Sequence, residues 1–324
     1  MGNVFYVLED NRIILNDGIK VAEPYYWQTT YITDFLGKVY QQYDTHAIHH
    51  DMIELPNGNL LYAAEHPQRD TTEDYIIELD RNTGEVVNTW DLLEILEMEE
   101  YIATDAVIAN HFEDDRTKAQ SDWLHMNAIY YDETTNALVI SARHQDLAMS
   151  IDYTTKEINW IFANPENELF ATSMDKYMLT AVGDDFEYVY GPHGAMIGEQ
   201  GDLLIFDNGN NRVVDSTQNY SRIVQYQIDD ENMTIEQVYQ YGKERGSELF
   251  SMYMSDVDEL APGHLLASFS GIVRNSDGTA TDDMMILLED GIAVTKIIEL
   301  LDGEVISEVE IDINAYRAQR ITLY

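Results

Sequence analysis

An all-β fold, a β-propeller of four-stranded blades, is what this sequence predicts, and three observations predict it. Short runs of strand-favouring residues alternate with turn signals along almost the whole chain. Three units open with a histidine in a polar motif and continue through one strand–turn–strand pattern. They are His49-His50-Asp51 before Leu55-Pro56-Asn57-Gly58-Asn59-Leu60-Leu61, Asp122-Trp123-Leu124-His125-Met126-Asn127 before Ala137-Leu138-Val139-Ile140, and Gly191-Pro192-His193 before Gly201-Asp202-Leu203-Leu204-Ile205. A fourth copy, Tyr253-Met254-Ser255-Asp256 before Pro262-Gly263-His264-Leu265-Leu266, has lost the histidine. Repeats arranged around an axis bring equivalent positions together. His50, His125 and His193 are therefore expected to share one pocket.

In chain order, the first strand runs fall at residues 4–8 and 12–15, ahead of the first histidine motif. Tyr75-Ile76-Ile77-Glu78-Leu79 turns at Arg81-Asn82-Thr83-Gly84 into Glu85-Val86-Val87-Asn88-Thr89-Trp90, a hairpin. Hairpins recur around the turns at residues 153–156, around residue 230 and at Asp302-Gly303, so each motif opens a unit of about four strands. Intervals of 75, 68 and 62 residues separate His50, His125, His193 and Ser255. A plain blade takes roughly 40–50 residues, so the units carry insertions. Residues 91–102 and 166–178 have helical spacing of apolar residues, and 110–121 is a polar loop. These short helical insertions fall ahead of the second and third histidine motifs, where they would cap the histidine face. The last strand-like run, 316–324, has no following partner, and the first runs have no preceding one. Completing one blade from both termini would close the ring and remove an edge. Five units can be counted, and residues 1–324 read as a single propeller domain that lacks an N-terminal region if a sixth blade exists.

The composition agrees with a packed core: 45% of the 324 residues are hydrophobic, with 22 tyrosines and 4 tryptophans. Sixty acidic residues against 18 basic ones give a formal charge of −42, which repels nucleic acid and anionic membranes. An anionic substrate is still admissible, because surface repulsion decays over about 8 Å at physiological salt and a few cations inside a cleft then dominate. With no cysteine, neither a disulfide nor a thiolate site can form. The start of the chain carries no basic, apolar export signal, and no apolar run reaches the length of about 18 residues that marks a transmembrane helix. A homo-oligomer is left open.

Five positions carry the candidate chemistry. Strand alternation puts only one of two adjacent histidines on a given face, and the register to the following Leu-Leu pair selects His50, not His49, as the counterpart of His193. His125 matches with a longer turn. Arg143, in Ser141-Ala142-Arg143-His144-Gln145 after an apolar strand, needs an anionic partner: a buried acid, or a bound oxyanion gripped by its planar fork. Asn127, two residues after His125, would lie on the same strand face and could donate to that anion. Metal ligation finds less support, since His46 with His50 and His111 with Glu113 each lack an obvious third ligand. No metal is assigned. The run Asp207-Asn208-Gly209-Asn210-Asn211-Arg212 lacks the closing glutamate of a calcium loop and reads as a tight turn. Neither a phosphate-cradling glycine loop nor a Gly-x-Ser-x-Gly elbow is present.

These motifs together resemble the bacterial aryl-sulfate sulfotransferases that work without a nucleotide donor. The matching pieces are His49-His50-Asp51 with Leu55-Pro56-Asn57-Gly58-Asn59, Asp122-Trp123-Leu124-His125-Met126-Asn127, Ser141-Ala142-Arg143-His144-Gln145, Phe206-Asp207-Asn208-Gly209 and the ending Tyr316-Arg317-Ala318-Gln319-Arg320. The resemblance implies a six-bladed propeller with its site at the central channel and ping-pong transfer of a sulfuryl group from a phenolic sulfate donor to a phenol acceptor. It implies no cofactor and an extracytoplasmic location, periplasmic or at the cell surface. It also implies that His193 is the histidine that becomes sulfated, with His50, His125 and Arg143 as its catalytic companions and Asn127, Arg143 and His125 holding substrate. In that scheme His193 attacks sulfur, Arg143, His125 and Asn127 hold the equatorial oxygens, and His50 exchanges a proton with the phenol. Two departures stand out: Gly194 follows His193 where the family usually has Asp, and the family's longer N-terminal region with its own β-domain has no counterpart. A non-catalytic binding propeller and a hydrolase or lyase sharing the channel are the competing readings.

Overall fold

The computed structural model describes residues 5–17, 27–69, 71–99, 122–167, 174–213, 218–281 and 283–321. Antiparallel strands follow one another in chain order. The first sheet holds β1 (Phe5–Val7), β2 (Ile13–Asp17), β3 (Trp27–Thr33), β4 (Val39–Glu54), β5 (Leu60–Ala64), β6 (Tyr75–Leu79) and β7 (Val86–Asp91). It is two blades joined through one strand. The first part of β4 pairs with β3 and its last residues pair with β5, with a register shift between Ile48 and Met52 where the strand changes blade. The third blade is β8 (Met126–Asp132), β9 (Ala137–Ala142), β10 (Leu147–Asp152) and β11 (Ile158–Ala163). The fourth is β13 (His193–Ile197), β14 (Leu203–Asp207), β15 (Arg222–Asp229) and β16 (Thr234–Tyr241), with β12 (Thr180–Val182) lying parallel outside β16. The fifth is β17 (Asp256–Ala261), β18 (His264–Arg274), β19 (Ile292–Leu301) and β20 (Glu304–Ile311). The described residues thus form five four-stranded blades arranged as a propeller, and the sixth implied by the resemblance is not among them.

Burial explains the sequence pattern. Every residue of β9 is buried, because its two faces serve different cores. Leu138 and Ile140 pack against the second blade with Trp90, Trp123 and Leu61, whereas Val139 faces the fourth with Phe162, Leu203 and Tyr226. A strand between two neighbours therefore reads as a continuous apolar run rather than an alternating one. The outermost strand β20 has only one neighbour and is exposed over almost its whole length. Successive inner strands β4, β8, β13 and β17 touch one another in that order, and they carry the repeat motifs to the hub.

Two expectations are corrected. The helix expected over 91–102 shrinks to α1 (Leu92–Ile95), capped by Asp91, because Leu96 ends it and Glu97 adopts left-handed φ of 55°. Of 166–178, the described part forms a single 3₁₀ turn, Asp175–Tyr177, and the loop 110–121 lies outside the described residues. The second correction concerns closure. Residues 312–321 form no strand, and β1 and β2 begin a blade of their own. Side chains make the closure instead. Arg317 donates to Asp51 at 2.8 Å and lies 3.5 Å from Asp256, Gln319 accepts from the Val7 amide, and Arg320 pairs with Glu299 at 2.8 Å. Polar side chains at successive tail positions find partners on separate blades, so the tail follows them and not a strand ladder.

Asp51 is almost fully buried, and removing its cation leaves an uncompensated charge. Replacing Arg317 by Met should therefore cost roughly 3 kcal/mol of folding stability, read as a lowered denaturation midpoint. A variant as stable as the parent would show that the tail does not hold the ring.

Candidate functional site

Two of the three motif histidines arrive at the hub by the same device. His50 has φ of 44° at the β4 register shift and His125 has φ of 54° just before β8, so each leaves the strand alternation and turns inward. His193 opens β13, followed by Gly194 at φ of 60°. A Cβ at Gly194 would stand 2.2 Å from the Asp256 carboxylate, so that carboxylate takes the room that the family's usual aspartate side chain would need. His49 is buried beside His50, with Nε2 3.2 Å from the Ala64 carbonyl oxygen. Of the two, His50 is the ring stacked edge-on against His125.

One carboxylate joins two blades here. Glu73, on the β5–β6 loop, has Oε2 3.1 Å from His50 Nε2 and 2.6 Å from His125 Nδ1. The two rings lie 4.7 Å apart. Asp122 Oδ2 is a second partner for His125 Nδ1 at 2.8 Å. Burial alone would lower His125, but the carboxylates of Asp122 and Glu73 outweigh it and lift the ring to about 10, so it is an imidazolium at neutral pH. Burial works to raise Glu73, yet the His125 and His50 rings hold it well below the usual carboxylate range. Asp122 is pushed up, by burial and by the charge of Glu73. On the other side of His50, Nδ1 lies 3.0 Å from the Tyr316 hydroxyl, delivered by the C-terminal tail. The network is satisfied when His50 Nε2 donates to Glu73 and Nδ1 accepts from Tyr316.

His193 lives in the opposite environment. Burial is the main force on it, and the charges of Arg143, His50 and His125 add to it, so its conjugate acid sits well below 6.5 and the ring is neutral. Its Nδ1 is 2.7 Å from Asn208 Oδ1. The Asn208 amide nitrogen donates to the carbonyls of Ser251 and Met254, which fixes its oxygen toward the ring. His193 Nδ1 therefore carries the proton, and the lone pair is on Nε2, which has no hydrogen-bond partner among the described residues.

Arg143 follows directly on β9, its amide bonded to the His125 carbonyl. The alternative of a neutralising acid does not hold among the described residues: no carboxylate lies within 4.0 Å of its guanidinium, and its buried Nε has no partner. Burial lowers its pKa, opposed by Asp122, Asp146 and Glu73 at longer range. Asn127 is engaged at both ends of its amide, donating to the Pro192 carbonyl at 2.8 Å and accepting from the Ser141 hydroxyl at 2.7 Å. It ties the third blade to the turn before His193, with one amide N–H left over. His111 and Glu113 lie outside the described residues.

Glu73, Asp122, Asn208 and Tyr316 join the site without having been singled out from sequence. Asp122, Asn208 and Tyr316 sit inside quoted motifs, so the signal was present but read as turn or terminus. Glu73, at left-handed φ of 58° in a loop, belongs to none.

Among the described residues, the site thus holds a partly buried imidazolium, a guanidinium with no carboxylate partner and a neutral imidazole whose lone pair is uncommitted, groups chemically able to bind an oxyanion. The arylsulfotransferase family profile matches residues 2–322. The chain belongs to the arylsulfotransferase family. Among curated relatives, the arylsulfate sulfotransferase AssT of Escherichia coli O6:H1 is 28% identical over 278 residues, covering 70% of this chain and 46% of that protein. The AssT of Lelliottia amnigena is 29% identical over 273 residues, covering 69% of this chain and 45% of that protein. The chain thus spans about half the length of the curated relatives it matches. Among solved structures, a Bacteroides caccae protein of unknown function aligns over 94% of this chain and 80% of that chain, at a TM-score of 0.49 and 11% identity.

The arrangement predicts that imidazole NMR finds His125 doubly protonated at pH 8 while His193 stays neutral at pH 6. In Glu73→Gln one of the two anions holding the His125 proton is gone, so its titration should move to lower pH. An unmoved His125 titration would remove Glu73 from this role.

Proposed function

We propose that this chain is the catalytic propeller of an aryl-sulfate sulfotransferase. It moves a sulfuryl group from a phenolic sulfate ester to a phenol by a ping-pong mechanism through a sulfohistidine on His193. The observation that carries this reading is the Asn208–His193 bond, which leaves a neutral ring with its Nε2 lone pair uncommitted beside two cationic donors. Family membership and the two AssT relatives support it.

In the first half-reaction His193 Nε2 forms a bond to sulfur as the S–O bond to the donor phenol breaks. For this step His50 carries a second proton, on Nδ1; the departing phenolate takes it and leaves the ring neutral, and the acceptor phenol returns one when it attacks the sulfohistidine in reverse. The Tyr316 hydroxyl stands 3.0 Å from His50 Nδ1, a phenol–imidazole distance that supports the role of this ring in proton exchange. The sulfuryl oxygens carry the charge, and Arg143, His125 and the remaining Asn127 N–H stabilise it. By analogy with phosphoryl transfer, positioning and such charge stabilisation should dominate the rate. An extracytoplasmic site of action belongs to this proposal and is supported by resemblance. No helix among the described residues is long and apolar enough to cross a membrane.

Incubation with p-nitrophenyl sulfate should release colour at a sustained rate only when a phenol is added. Without acceptor, mass spectrometry should find one sulfuryl group on His193, and His193→Ala should lose roughly 10⁴-fold or more in rate. Sustained colour without acceptor would make the protein a hydrolase, and no turnover with any phenol would make it a binding propeller. The first half-reaction, followed as a burst, should not slow between pH 7 and 6, because His193 stays unprotonated there. It should weaken as pH rises through about 10 and His125 loses its proton. In Glu73→Gln that alkaline limb should shift to lower pH.

A further inference from the structure

The pairings His46 with His50 and His111 with Glu113 offered no third metal ligand in the sequence. For His50 the fold supplies other donors, from loops of two blades. His50 Nε2, Glu73 Oε2, His125 Nδ1 and Asp122 Oδ2 form a continuous row, with successive separations of 3.1, 2.6 and 2.8 Å. His144 closes the same cluster, its Nδ1 3.5 Å from Asp122 Oδ2. The donor atoms of Asp122, His125 and His144 lie within 4.8 Å of one another, as do those of His49, His50 and Glu73. The four side chains of the row are 13 to 24% exposed, so an ion can reach them from the channel.

We infer that this row is a binding site for a divalent transition metal of the zinc type, held by His50, Glu73, His125 and Asp122. Two imidazoles and two carboxylates are the ligand set such ions prefer, and two nitrogens disfavour magnesium and calcium. Two carboxylates also match the charge of a divalent cation. Metal–ligand bonds of about 2.0–2.1 Å in a tetrahedron set ligand atoms about 3.3 Å apart. The successive separations in the row fall a few tenths of an ångström short of that, and the row must fold around the ion to bring its two ends together. The His125 Nδ1 proton, held by Glu73 and Asp122, is released to solvent as the metal enters, and the His50 proton moves from Nε2 to Nδ1, where it can point to the Tyr316 oxygen, since a ligating nitrogen must give up its hydrogen. Two of the ligands are the histidines assigned above to sulfuryl transfer. If that reading holds, occupancy by the metal and turnover exclude one another.

The experiment titrates chelator-treated protein with Zn²⁺ by calorimetry, in excess Mg²⁺ to occupy the acidic surface, and repeats it with Co²⁺ watched by visible absorption. One tight site per chain is expected, with the intense d–d bands of tetrahedral Co²⁺. Glu73→Gln and His125→Gln, each removing one donor, should weaken that site at least about a hundredfold, and either variant that folds reads the result. Affinity unchanged in both variants, or only weak multi-site binding in the parent, overturns the site. Neither readout involves sulfuryl transfer. A protein that transfers sulfate but binds no Zn²⁺ refutes this inference alone, and one that binds Zn²⁺ but never labels His193 refutes the proposed function alone.

Discussion

One buried carboxylate holds the hub together. Asp51 accepts from the Met52 amide on its own strand, from the Ile129 amide of the third blade and from Arg317 of the tail. Through Arg317 it reaches toward Asp256 on the fifth blade. Each of these bonds satisfies a group that would otherwise be buried and unpaired, so the inner strands are fixed where they converge. The same pairing draws the tail inward and sets the neighbouring Tyr316 against His50.

On that frame the site separates its histidines by charge. His50 and His125 share Glu73, and His125 gains Asp122 as well, so anions surround one end of the cluster. Among the described residues His193 pairs with no carboxylate, and the charges acting on it are those of Arg143, His50 and His125. One residue type is therefore an imidazolium at one position and a neutral ring at another of the same site, a difference set by neighbours and not by the imidazole itself. The formal charge of −42 is no obstacle to an anionic substrate there. In the proposed mechanism Arg143 and His125 would act at contact distance, where bulk salt does not screen them.

Much of the fold was legible because blades repeat. Unbroken apolar runs such as Leu138-Val139-Ile140 signalled strands buried on both faces, and the repeated motifs placed the histidines at equivalent positions. The helical insertion after Asp91 was overread, since apolar spacing cannot see the left-handed residue that ends a helix at Glu97. The tail was misread for a related reason: the strand-like run at 316–324 gave no hint that Arg317 would find Asp51.

The sequence by itself determined the all-β repeat, the acidic surface and which residues carry reactive groups, because strand periodicity and side-chain chemistry are local properties. Only the tertiary structure decided what each group does. The proton-bearing state of His125, the free lone pair of His193 and the unpaired guanidinium of Arg143 depend on Glu73, Asn208 and the lack of a nearby described carboxylate. Those are contacts across blades, between residues far apart in sequence, and electrostatic energies follow distance in space rather than order along the chain.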